Sequence, residues 1–234
     1  MKKCIVLSGQ YRTFDQTCDN IQKFIELNEL DVYCHLWTDG DEEVSKYQFD
    51  KIVEKLKPVN ILQQNADLFA DKFKQIEKNI LESNPKNPNT DRLIGNASMN
   101  YSRKAAFNLI KDPYDVLVYC RYDIGFHNIF QFQNVDILVT PLEESYNLIS
   151  DIFAIMPFPV AKYYFLFDEY ERLHSTQFEP QFEEYLRNTR RYGEENIRIH
   201  KEDRYCPHMM LLRHIYMNGI RQVATNQLSV YIQR

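Results

Sequence analysis

With 234 residues, 44% of them apolar and 26% charged, the chain has the make-up of one globular α/β domain rather than of a disordered tail or a string of domains. Its formal net charge of −5 argues against wrapping a nucleic-acid backbone, yet leaves room for a small anion held by local arginines. Five cysteines without a CxxC pair exclude a zinc motif and a disulfide framework.

Cys4–Leu7 reads as a buried first strand ending at Ser8-Gly9, with Thr13 as the N-cap of the helix that follows. Phe14, Cys18, Ile21, Phe24 and Ile25 carry helical spacing, so a helix is predicted over 14–27. A second strand over 31–37, a helix over 44–56 stopped before Pro58, and a short strand over 59–62 come next. Helical spacing returns over 66–81. Asn84-Pro85-Lys86-Asn87-Pro88-Asn89 is the strongest loop signal, and a helix over 96–110 ends at Asp112-Pro113.

The run Val116-Leu117-Val118-Tyr119-Cys120 marks the central strand, placed over 115–122, and another strand is expected over 135–139. Beyond Pro141 the alternation loosens. A strand over 152–156, helices near 160–172, 180–190 and 206–217, and a β-rich tail over 228–232 complete the reading. Alternating strands and helices predict a mostly parallel sheet covered on both faces. In such sheets ligands bind at the carboxyl ends of the strands.

Those ends carry the candidate residues. After the first strand stand Gly9, which lets backbone approach a ligand, and Arg12, suited to bidentate pairing with phosphate. The three-glycine dinucleotide fingerprint and the phosphate-binding loop are both absent, which excludes the commonest dehydrogenase and P-loop readings. Trp37, the single tryptophan, closes the second strand as either the floor of a pocket or packing under a helix. Asp39 and Asp41 form a literal DxD, but among Glu42 and Glu43 they read as solvated surface.

The central strand opens onto Arg121-Tyr122-Asp123. Residues two apart on a strand face one way, so Arg121 and Asp123 project together, as a buried salt bridge or as a diphosphate site. In the latter, Asp123 would hold Mg2+ or Mn2+ and Arg121 would offset phosphate charge. On the preceding helix Asn96, Asn100 and Arg103 share a face.

The opening Ile5-Val6-Leu7-Ser8-Gly9-Gln10-Tyr11-Arg12, then Asp31-Val32-Tyr33-Cys34-His35-Leu36-Trp37, resembles small GT-A-like glycosyltransferases of bacterial surface-polysaccharide clusters and large viruses, algal viruses among them. Tyr101-Ser102-Arg103-Lys104-Ala105, Arg121-Tyr122-Asp123, Ser150-Asp151-Ile152-Phe153-Ala154 and Pro207-His208-Met209-Met210 extend the similarity over most of the chain. The resemblance implies a Rossmann-type GT-A fold, a UDP- or GDP-linked sugar donor and a glycan or glycoprotein acceptor. It implies donor contacts from Gly9, Arg12, Trp37, Asn100, Arg103 and Arg121, and Mn2+ or Mg2+ at Asp123.

Two departures stand out: Arg121 occupies the first acid of the family's DxD, and His208, a metal ligand or a pocket-wall residue, stands where Glu is common. Asp151 is the candidate base of an inverting transfer, with Glu143 and Glu144 as alternatives. The expected organisation is one domain, with 1–140 binding the nucleotide sugar and 141–234 the acceptor. The other reading is a non-catalytic nucleotide- or glycan-binding module on the same fold. Buried-type cysteines and the absence of any long apolar run lead to the expectation of a cytoplasmic protein without a membrane span.

Overall fold

The computed structural model describes residues 1–83, 90–141, 150–165, 179–188, 207–225 and 228–233. The apolar run after Lys2 forms β1 (Lys3–Gln10), whose alternate residues feed opposite faces of the sheet. Cys4 and Val6 join one apolar cluster, and Ile5 and Leu7 join the other. Burial on both faces is what a parallel strand covered by two helix layers requires.

The first half then alternates strand and helix: α1 (Phe14–Asn28), β2 (Asp31–Thr38), α2 (Glu42–Leu56) and β3 (Asn60–Asn65). α1 buries all five of its predicted apolar positions against the face made by Ile5, Leu7, Val118 and Cys120. Each large side chain so removed from water contributes roughly 1.5–3 kcal/mol. Helices α1 and α2 end in left-handed residues, Glu29 and Lys57, which turn the chain back into the sheet.

A 3-10 turn (Ala66–Phe69), α3 (Ala70–Ser83) and α4 (Thr90–Phe107) carry the chain across to β4 (Val116–Cys120). β5 (Ile124–Phe126), β6 (Leu138–Pro141), β7 (Phe153–Pro157) and α5 (Phe158–Phe165) follow. The last described elements are α6 (Pro180–Asn188), α7 (Pro207–Met217), β8 (Gln222–Thr225) and β9 (Val230–Ile232). Ala106 of α4 packs with Tyr164 and Phe165 of α5, Phe182 and Leu186 of α6, and Leu212 and Ile215 of α7 on the second face.

Among the described residues, seven strands form one sheet in the order β3-β2-β1-β4-β7-β6-β8. Among the described strands of this sheet, β7 alone runs against its neighbours, and the other pairings are parallel. The fold is thus the expected mostly parallel, helix-flanked α/β sheet. Strands from beyond residue 141 belong to the same sheet as those before it. β5 and β9 pair antiparallel as a separate ribbon.

The order fixes where a ligand can sit. From β1 the chain steps outward to β2 and β3, then returns to place β4 on the other side of β1. The connections therefore diverge between β1 and β4. A crevice opens at that switch point, outside the carboxyl ends of the two strands. Because β7 is antiparallel to β4, its amino end lies at this same edge: Cys120 is opposite Phe153. Asp151 reaches the crevice for that reason.

Several boundaries differ from the sequence expectation. Thr13 stands at the start of α1 without capping it by side chain; its hydroxyl donates instead to the Gln233 carbonyl at 2.8 Å. α4 begins six positions before the predicted 96, at Thr90. Strand β4 stops at Cys120, so Arg121 and Asp123 sit in the turn that follows it. The strand expected over 135–139 lies at Leu138–Pro141, and β8 has no counterpart in the sequence reading. The Asn/Pro-rich loop at 84–89, Glu143 and Glu144 lie outside the described residues.

Candidate functional site

A cavity of about 370 Å³ occupies the switch point. Its lining comes from the β1 end (Ser8, Gly9, Gln10, Arg12), Trp37 of β2, Gly95, Asn96, Ser98 and Met99 of α4, Arg121 and Asp123 after β4, Asp151 and Ile152 before β7, and Ile232 of β9. This is the size range of small-molecule sites. Gly9 adopts φ 126°, a conformation L-residues rarely reach, and so lets the β1 end turn into the crevice. Arg12 is itself left-handed, at φ 46°. Such strain in a non-glycine residue persists where surrounding contacts enforce it.

The turn is closed by the Phe14 N–H, which donates to the Tyr11 carbonyl at 3.0 Å, and the Arg12 side chain enters an ionic network. Arg12 Nη1 donates to Asp123 Oδ2 at 2.9 Å, and Arg121 Nε donates to Asp123 Oδ1 at 2.9 Å, with a second bond from Arg121 Nη2 to Oδ2. Asp123 is 2% exposed, whereas half of the Arg12 side chain faces solvent. Burial alone would lower the Arg121 pKa, but the hydrogen bonds and charge of Asp123 outweigh it and hold the guanidinium above its ordinary value. Tyr122, between them, points away: its ring packs edge-on against Phe14 and its hydroxyl donates to the His35 carbonyl. The backbone here is braced by the C-terminal ribbon, since Gln233 N–H donates to the Asp123 carbonyl at 2.9 Å.

Trp37 combines both of its expected roles. It lines the cavity, and it packs by stacking on Tyr101 of α4 while its indole N–H donates to the Ser98 carbonyl. Asn100 and Arg103 are not part of the lining. Both are buried beneath it, with Arg103 donating to Asn100 and lying over the rings of Tyr119 and Tyr164 at 5.7 and 5.4 Å. Arg103 Nε and Nη1 find no hydrogen-bond partner among the described residues, and the two ring faces offset part of that cost. The Asp151 charge is felt by the same two tyrosines and by Arg121, which places all of these groups in one electrostatic neighbourhood.

His35 was not singled out from the sequence, yet it links three elements. One ring nitrogen meets Ser102 Oγ at 2.7 Å and the other meets Gln64 Oε1 at 2.8 Å, joining β2 to α4 and β3. Burial pushes its pKa down to about 4, against the smaller opposing effect of the Gln64 hydrogen bond. A histidine depressed in the folded state stabilises above its unfolded pKa and loses that contribution as pH falls towards the folded one. Unfolding free energy should therefore fall by about 2 kcal/mol between pH 7 and pH 5. Urea midpoints at the two pH values check this, and His35→Gln should flatten the difference.

The buried thiols offer no nucleophile here. Cys34 is pushed up to about 12 by burial, and Cys120 is raised further by burial and by Asp123.

A divalent cation fits these residues poorly. Both Asp123 oxygens are engaged by guanidinium groups, and a dication within about 4 Å of one guanidinium is repelled by about 8 kcal/mol at an effective dielectric of about 20. No cluster of three or more His, Cys, Asp or Glu side chains suited to a metal occurs among the described residues. Asp41 of the literal DxD caps α2, accepting from Val44 N–H at 3.0 Å. His208 falls on α7, and its side chain lies outside what is described.

Sequence reasoning did not single out Ser8, Gln10, Gly95, Ser98, Met99, Ile152 or Ile232 of the lining. No signal in the sequence announces Ile232, because its place depends on the β5–β9 pairing over a hundred residues of chain. Among the described residues, no helix is long and apolar enough to cross a membrane.

Neither a protein-family model nor a curated protein matches the chain. Among solved structures it is similar to apo mouse xyloside xylosyltransferase 1, with TM-score 0.41 and 8% identity over 96% of this chain and 85% of that one. It is also similar to the apo glycosyltransferase GlyE of Streptococcus pneumoniae TIGR4, with TM-score 0.41 and 9% identity over 95% of this chain and 45% of that one.

Proposed function

We propose that the protein is a glycosyltransferase that moves a sugar from a nucleoside-diphosphate sugar, UDP- or GDP-linked, to a glycan or glycoprotein acceptor. The observation that carries the reading is the convergence of Arg12, Arg121 and Asp151 on one cavity at the sheet's switch point. Two guanidinium groups there suit a diphosphate, and a carboxylate stands beside them. The sequence resemblance over the residues that build this cavity supports the same reading.

In the proposed reaction an acceptor hydroxyl attacks the anomeric carbon of the donor. The bond from that carbon to the phosphate oxygen breaks as the new glycosidic bond forms, with inversion. Asp151 takes the hydroxyl proton, and the electron pair leaves on the nucleoside diphosphate, whose charge the arginines stabilise. In this reading the nucleoside lies against Trp37, a lining aromatic whose indole N–H is tied to the Ser98 carbonyl. The transferred residue is a hexose or a pentose, and the setting is the cytoplasm.

A panel of UDP-, GDP- and CMP-sugars, followed for nucleotide release with and without glycan acceptors, tests the proposal. Release of UDP or GDP from at least one donor is expected. Nucleotide binding without any release from the whole panel would instead identify a non-catalytic binding module.

A further inference from the structure

Asp123 is the position at which the resemblance implies a metal, and the structure gives it a different occupation. Three N–H groups from two arginines converge on its two oxygens, and the carboxylate is 2% exposed. A cation bound there would have to break these bonds and stand beside two positive charges. The triad itself carries a net positive charge; Asp151 balances it within the lining, and the buried Arg103 behind adds one more positive charge, so the neighbourhood suits an anion rather than a second cation.

The free donors point the same way. Among the described residues, Arg12 Nη2 and Arg121 Nη1 engage no partner, while both side chains line the cavity. Asp123 thus holds Arg121 by its Nε–Nη2 edge and Arg12 by Nη1, which leaves Arg121 Nη1 and Arg12 Nη2 for a ligand. Its own backbone is held by Gln233, and Gln233 by Thr13, beside Arg12. Arg12 is held in a left-handed conformation next to that brace.

We propose that this Arg12–Asp123–Arg121 triad is a metal-independent clamp for the donor's diphosphate, in which two oriented guanidinium groups take the place of a divalent cation. The clamp rests on the nucleotide-sugar reading above. It adds that charge stabilisation on the leaving diphosphate comes from the chain's own residues.

Calorimetry with UDP and with GDP, each in excess EDTA and again with Mn2+, tests the clamp. The nucleotide that binds should do so in EDTA, with an affinity that Mn2+ changes by less than about 3-fold, well under one charge-assisted hydrogen bond. Arg12→Gln, at a half-exposed side chain, should weaken binding in EDTA by about 10- to 100-fold with little change in melting temperature. Binding that vanishes in EDTA and returns with Mn2+ would overturn the clamp while leaving the transferase reading standing. Full affinity in Arg12→Gln would overturn it as well. No binding of either nucleotide under any condition would overturn both.

Discussion

Asp151→Asn should lower the turnover of sugar transfer by about 10²- to 10⁴-fold, the usual worth of a positioned general base, while nucleotide affinity stays within a few-fold of the parent. The expectation follows from placement. Asp151 lies just ahead of β7, and the antiparallel register of β7 against β4 carries it to the edge where Arg12 and Arg121 stand. It is buried, so its carboxylate cannot be replaced by bulk water. Asparagine has nearly the same shape and keeps an acceptor oxygen, which limits the loss to the proton-accepting role. Single-turnover rates and nucleotide titrations on the same preparation separate chemistry from binding. Near-normal turnover in the variant would remove Asp151 from the role of base.

Asp123→Ala should be the most damaging substitution in the site for stability, at about 3 kcal/mol, because it strips the buried counter-charge from two arginines. For a chain of this length that corresponds to a fall in melting temperature of roughly 6–12 °C. The same variant also separates two views of the site. If the arginines acted only through charge, removing a carboxylate would raise the local positive potential and tighten diphosphate binding. If they act as oriented forks, losing the carboxylate that holds them weakens binding by about tenfold or more despite the added charge. The second outcome is expected, and calorimetry decides between them. Arg12→Gln, which leaves the Arg121–Asp123 pair intact, should cost far less stability.

The legible parts of the fold were those governed by local periodicity. The helical stripe from Phe14 to Ile25 and the uninterrupted apolar run of β4 were readable because one face or both faces of each element had to be buried. The gathering of Gly9, Arg12, Trp37, Arg121 and Asp123 was legible for a related reason: parallel strands deliver their carboxyl ends to one edge, whereas Asp151 arrives there only because β7 runs antiparallel to β4. Arg103 and Asn100 share a helix stripe with Asn96, but α4 crosses the sheet so that only Asn96 meets the cavity. Helical spacing fixes which residues share a face, not how far along the helix the ligand space extends.

Long-range pairings were not legible. The reach of Gln233 to Asp123 and Thr13, and the arrival of Ile232 in the cavity wall, arise from a three-residue strand paired with β5. The β-rich tail over 228–232 was itself readable, but nothing in its residues names β5 as the partner. Asp41 read as solvated surface, since an Asp that caps a helix looks like any exposed loop Asp until its bond to Val44 is seen.

The central claim is that the switch-point cavity holds the diphosphate of a nucleotide sugar between Arg12 and Arg121. A crystal structure of the protein soaked with UDP or GDP, whichever binds, tests it most directly. The account predicts diphosphate oxygens within hydrogen-bond distance of both guanidinium groups, the nucleoside on the Trp37 side and Asp151 facing the space beyond the terminal phosphate. A nucleotide bound away from Arg12 and Arg121, or a cavity left empty at saturating nucleotide, would contradict it.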